Sequence, residues 1–256
     1  MSGTFTPAPG AASMPAMVRA QTLMETRLLL RNGEQLVLAL VMPLLVLVMG
    51  VLVGDDVLGL GPRPVDVLTP GVIALAVLST SFTSLAIATG FERRYGVLKR
   101  LGSSPLPRTG LLAAKVLSLF VVEAIQLVLI GAVAVGLGWS PRVSVVSVLS
   151  SLTLVVTGTA AFASLGLLLA GALRAEATLA LANLFYVVLL VAGAVIAPAS
   201  AYGATGDALV LLPSGALSAG LRAALVSGEF AAAPVAVLLG WAAVGSALTA
   251  RTFRWE

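Results

Sequence analysis

Few residues in this chain are equipped to make or break bonds. It has no His and no Cys, which excludes histidine proton relays, Ser-His-Asp triads, His-ligated metals and disulfides together. A P-loop needs Gly-Lys followed by Ser or Thr, because backbone amides and the lysine hold the phosphates. The only lysines are Lys99, in Val-Leu-Lys-Arg, and Lys115, in Ala-Ala-Lys-Val, so the chain is not expected to hydrolyse ATP. The Asp55-Asp56 pair could hold a cation, but adjacent carboxylates in a Gly-flanked loop usually stand solvated, and no metal site is expected. Two polar residues remain. Glu123 lies eight residues past Lys115, about 12 Å deeper along a helix, and Gln126 shares its face. An ionisable group at that depth faces protein or water. The pair either lines a substrate path or forms a structural hydrogen bond, and the residues alone leave both readings open.

The surroundings decide what these residues are for. The 256 residues are 59% hydrophobic and 10% charged, with a mean hydropathy of +1.08. Soluble domains carry roughly 25% charged residues, so the composition is that of an integral membrane protein. The net charge of +4 is spread over short loops rather than one face, which argues against a nucleic-acid partner.

Gaps between charges mark the elements. Residues 1–13 read as a flexible tail and 14–34 as an amphipathic interfacial helix, its arginines reaching headgroups. Six spans fill 35–250: roughly Gln35–Val53 (kinked at Pro43), Gly71–Gly90, Leu111–Leu137, a fourth to about Leu173 with a kink near Gly158, Thr178–Ala197, and Ala233–Ala250. Thr69-Pro70 and Ser140-Pro141 look like caps followed by Pro at the first helical position. The first apolar run follows a charged segment and reads as a retained span rather than a signal peptide. Between spans five and six, Leu217, Leu221 and Leu225 share one face, with Ser214, Ser218 and Arg222 on the other. That is an outer re-entrant or interfacial helix, its Arg222 turned to water or headgroups. Residues 251–256 form a tail. With both termini in the cytoplasm, twelve of the fifteen Lys and Arg fall inside, leaving Arg63, Arg142 and Arg222 outside, as the positive-inside rule requires. The architecture expected is an all-α membrane domain of six spans. Hydroxyls cluster in span two (Ser79, Thr80, Ser81, Thr83, Ser84) and span four (Ser147, Ser150, Ser151, Thr157), where close helix packing is the commoner meaning.

One stretch stands apart: Phe91–Gly110, FERRYGVLKRLGSSPLPRTG. It is basic, lies between two apolar runs and breaks at Ser-Ser-Pro-Leu-Pro. It reads as a docking surface for a cytoplasmic partner. Its Glu92-Arg93-Arg94-Tyr95-Gly96-Val97-Leu98, followed by Pro105-Leu106 and Lys115, resembles the E-R-x-x-G-x-L segment of ABC-2 type ABC transporter membrane subunits. It resembles in particular the short actinobacterial drug-resistance type permeases. Pro213 and Arg222 keep the P-x₈-R spacing of that family, although Ser214 and Ala216 depart from its usual residues. The resemblance implies a permease of an exporter in a bacterial plasma membrane, working as a homodimer or with a paralogue. Two separate ATPase subunits would bind ATP and Mg²⁺, and this chain would hold no cofactor. It places an ATPase-coupling helix on Phe91–Leu101, with Phe91, Glu92, Arg93, Arg94, Tyr95, Gly96, Leu98, Lys99 and Arg100 as coupling residues, Glu123 and Gln126 beside the path, and Pro213, Leu221 and Arg222 in the outer segment. The cargo would be a drug, lipid or other amphipathic molecule. An ion-coupled secondary transporter is the alternative; it would show internal repeats, and none is evident.

Overall fold

The computed structural model describes residues 10, 12–33, 37–58 and 62–252. Most of the tail expected over 1–13, Glu34, and the last four residues fall outside that set. Among the described residues every regular element is helical. Helix α1 is Met14–Arg31. A π-helical turn, Val37–Val41, leads into α2, Met42–Leu58. Next come α3, Pro64–Leu78, a second π-helical turn, Ser79–Ser84, and α4, Leu85–Arg94, which run on as one rod. After a tight turn lies the short α5, Val97–Gly102, and then α6, Arg108–Gly136, α7, Val145–Ala172, and α8, Ala175–Ala192. A 3₁₀ turn, Ala199–Thr205, and the single turn α9, Gly206–Leu209, precede α10, Pro213–Arg222. A third π turn, Ala223–Ser227, and α11, Ala232–Thr252, complete the order.

Among the described residues, four stretches are long and apolar enough to cross a membrane: Pro64–Arg94, Arg108–Gly136, Val145–Ala172 and Ala232–Thr252. Two shorter apolar helices, Ala39–Val53 and Ala175–Val191, accompany them. Within the chain, 89% of the apolar window of Pro64–Arg94 is buried, against 11% for Ala232–Thr252. The α3–α4 rod is therefore the axle, and the other helices pack around it. Its hydroxyl-rich π turn makes this possible. A Cβ on Gly166 of α7 would stand 2.8 Å from the Phe82 carbonyl oxygen, so only glycine lets the two backbones come this close.

Several expected boundaries move. The second span begins at Pro64, not after Pro70, because Pro64 occupies the first turn and Asp66 pairs with Arg63 at 2.9 Å. Thr69 is already helical, and its hydroxyl donates back to the Val65 carbonyl at 2.7 Å instead of capping. The first span continues to Leu58, so the backbone of Asp55 and Asp56 is helical rather than looped. The fourth span starts at Val145, where Ser144 accepts from the Ser147 amide at 3.0 Å. Ser140-Pro141 lies before it in extended chain held to the outer segment by Arg142 N to Leu225 O, 2.9 Å. No kink interrupts α7 at Gly158. The fifth span ends at Ala192 rather than Ala197, because the carbonyls that follow are turned toward another partner.

Candidate coupling end and buried polar ties

The basic loop is built from the end of the axle. After Arg94 the chain reverses at Tyr95-Gly96, with Gly96 in the left-handed region at φ +68°, a conformation open to glycine without strain. This divides the single coupling helix expected over Phe91–Leu101. Phe91–Arg94 belongs to the axle, and only Val97–Gly102 is a separate helix. Leu98 is buried and anchors α5, while Tyr95, Lys99 and Arg100 are exposed. Ser103 and Ser104 donate to the carbonyls of Arg100 and Leu101, closing the helix end.

Behind that surface the charged residues bind the helices to one another. Arg93 donates to the carbonyl of Gly171 at 2.6 Å and to that of Leu173, satisfying the last turn of α7 where a cation also complements the helix dipole. Arg94 pairs with Glu176 in the first turn of α8. The Phe91 and Tyr95 rings stack at 6.1 Å, and the Arg94 guanidinium lies 5.8 Å from the Tyr95 ring centre. Lys115 on α6 reaches Glu92 at 2.7 Å and both oxygens of Glu25 at 3.1 Å. Lys115 and Glu25 are almost fully buried. One ammonium therefore joins α1, the axle and α6. The resemblance singled out Glu92 and Lys115 but not Glu25. Its burial explains why the amphipathic pattern of α1 is imperfect: Glu25 and Thr26 face inward while Leu23, Met24 and Leu28 are exposed.

Deeper in the bundle, Glu123 accepts from Ser81 of the π turn and from Thr159 of α7, the latter at 2.8 Å. Gln126 donates to the Ala39 carbonyl at 2.7 Å and bonds Thr80. A π turn leaves a backbone carbonyl out of the regular ladder, and Ala39 lies within one. Both side chains are 1% exposed. Within this chain they have the geometry of structural hydrogen bonds among helices, and the hydroxyl run of span two supplies the partners.

At the far end, Leu217 and Leu221 are fully buried, Leu217 lying against Gly158 of α7. The other face is buried as well: Ser214 and Ser218 donate to the carbonyls of Leu189 and Ala194 at 3.0 and 3.1 Å. Arg222 does not turn to water or headgroups as expected. It donates to the carbonyls of Val67 (3.2 Å), Ala194 (2.8 Å), Val195 (2.6 Å) and Ile196 (3.2 Å). Ala194 takes a positive φ of 49°, which turns this strand of carbonyls to the guanidinium and ends the fifth span early. Pro213 opens α10 at its first turn.

The bundle around a buried apolar axle, with one strongly basic end, is that of a helical membrane protein with several candidate spans. The family model of the ABC-2 type transporter matches residues 18–205, and the chain belongs to that family as a permease subunit. The match runs from within α1 to the end of the 3₁₀ turn, before Pro213. Among curated proteins, none matches the chain.

Proposed function

We propose that this permease is the membrane half of an ATP-driven exporter in a bacterial plasma membrane. Two copies, or one copy and a paralogue, enclose a path, and two separate nucleotide-binding subunits holding ATP and Mg²⁺ dock on the basic end. The chain crosses six times, with α2 and α8 as the shorter spans, α10 re-entering from outside, and both termini in the cytoplasm. The placement of Lys and Arg supports that sidedness. Coupling runs through Phe91–Arg100: Tyr95, Lys99 and Arg100 meet the ATPase, while Phe91, Glu92, Arg93, Arg94, Gly96 and Leu98 hold the turn rigid.

The observation that carries this reading is the rigidity behind an exposed aromatic-basic tip. Arg93 fastens the tip to α7, and Glu92 fastens it through Lys115 to α6 and α1. Movement imposed on Tyr95 or α5 would thus reach three helices without passing through a flexible joint. The cargo is a hydrophobic or amphipathic small molecule. The test is co-expression with candidate ABC-type ATPase subunits, followed by purification and ATPase assay in nanodiscs against candidate cargoes. A stable complex with cargo-stimulated hydrolysis is expected. A chain that transports alone on an ion gradient, and loses this with Glu123→Gln, would replace the reading with the ion-coupled alternative.

A further inference from the structure

Two cavities flank the turn between α7 and α8. The first, about 440 Å³, is an open apolar groove whose lining includes Phe82, Leu169, Ala172, Leu173 and Phe185 and extends to Pro213 of α10. No charged residue lines it. The next residue along the chain, Arg174, lines the second cavity, about 400 Å³, with Arg93, Arg94 and Glu176. An apolar slot and a basic basin thus share one turn of backbone, at the end of the bundle that carries the basic loop.

The basin holds three guanidiniums and one carboxylate. Arg93 is partly occupied by two carbonyls and Arg94 by Glu176. Arg174 is exposed and has no side-chain partner among the described residues. It also stands at the N-terminus of the 18-residue helix α8, where no side chain caps the helix and the dipole adds positive character. The combination asks for an apolar tail with an anionic head. Basic pockets between membrane helices on the cytoplasmic side take phospholipid headgroups of that kind.

We infer that this turn is a binding site for an anionic phospholipid of the surrounding leaflet, one acyl chain in the slot and the phosphate on Arg174 with Arg93 and Arg94 behind it. The inference rests on the sidedness proposed above, but not on ATPase coupling. A lipid held here would bridge the fourth and fifth spans beside the coupling tip.

The test is native mass spectrometry of the purified full-length permease, released from detergent and titrated with phosphatidylglycerol or phosphatidylcholine. Phosphatidylglycerol should bind the more tightly. Arg174→Gln should weaken phosphatidylglycerol about fivefold, the effect of one basic group near a membrane surface, and leave phosphatidylcholine unchanged. Arg174→Lys should restore most of the difference, which guards against a folding artefact. Ala172→Phe, which narrows the slot, should weaken both lipids. Equal binding of the two lipids, or an unchanged phosphatidylglycerol affinity in Arg174→Gln, would overturn the site. Displacement of the lipid by glycerol phosphate alone would remove the slot from it and overturn the proposal as stated. Because no ATPase subunit takes part, failure here leaves the exporter reading standing, and failure of the exporter reading leaves this measurement intact.

Discussion

Glu25 and Lys115 lie 90 positions apart, yet the Lys115 ammonium stands 3.1 Å from both oxygens of the Glu25 carboxylate. The same ammonium contacts Glu92 at 2.7 Å, so a single cation faces two carboxylates at a nearly buried junction. Removing the cation leaves two like charges together, whereas removing either carboxylate leaves a complete pair. Lys115→Met should therefore lower stability by roughly 3–5 kcal/mol, the range for breaking a buried pair, and Glu25→Gln by much less. Thermal unfolding of the purified permease in one detergent checks the order. Equal losses would mean that the junction is not held by this ammonium.

The exposed tip makes the opposite prediction. Tyr95, Lys99 and Arg100 bury little within the chain, so their replacement should barely change its stability. Tyr95→Ala combined with Lys99→Glu and Arg100→Glu should nevertheless release the ATPase subunits. Pull-down and melting temperature, measured on the same preparation, separate the two effects. Retention of the partner would move docking elsewhere on the basic end.

What could be read from the amino-acid order divides along physical lines. Charge gaps fall at four helices long and apolar enough to span and at two shorter apolar ones among the described residues, because an unpaired charge in hydrocarbon is costly and that constraint acts residue by residue. Helix starts are harder. Thr69-Pro70 and Arg63-Pro64 look alike locally, and only the Arg63–Asp66 pair and the Thr69 bond to Val65 tell them apart. The π turns have no local signature, and their groups meet distant partners: the Ala39 carbonyl meets Gln126, the Ser81 hydroxyl meets Glu123, and the Leu225 carbonyl meets the Arg142 amide. Glu25 was invisible for the same reason. The Leu217/Leu221 stripe was legible as a face, but that both faces of α10 are buried depends on four other helices, α3, α7, α8 and α11.

Glu123 distinguishes shape from hydrogen bonding. Glu123→Gln keeps the volume and can still bond Ser81 or Thr159 after a hydroxyl rotates, so the bundle should persist with a small loss. Glu123→Leu strands the Ser81 hydroxyl in the interior, while Thr159 keeps its bond to the Val155 carbonyl at 2.8 Å, so the loss should be roughly 1–3 kcal/mol for the one buried group left without a partner. Melting temperatures should fall in that order, with the complex still assembling in the Gln variant. A Gln variant that melts normally but changes cargo-stimulated ATPase activity would place Glu123 beside the path instead.

Arg222 supplies the last test, at the end of the bundle opposite the docking tip. Its guanidinium answers carbonyls from Val67, Ala194, Val195 and Ile196, a fan that needs several donors in one plane. Lysine carries the charge but not the fork, so Arg222→Lys should fail almost as badly as Arg222→Met. Each carbonyl left dry costs about 1–3 kcal/mol, enough to release the 194–196 segment and loosen α10 from the axle. Leu221→Asp should act alike, because Leu221 is 1% exposed and a carboxylate there has no partner. Transport should be lost in all three while the ATPase stays bound, since the docking tip is held by Arg93 and Lys115 far from the change. A pull-down beside a transport assay reads both. Normal transport by Arg222→Lys would show that charge alone holds the segment, and release of the ATPase would mean that the two ends are not mechanically separate.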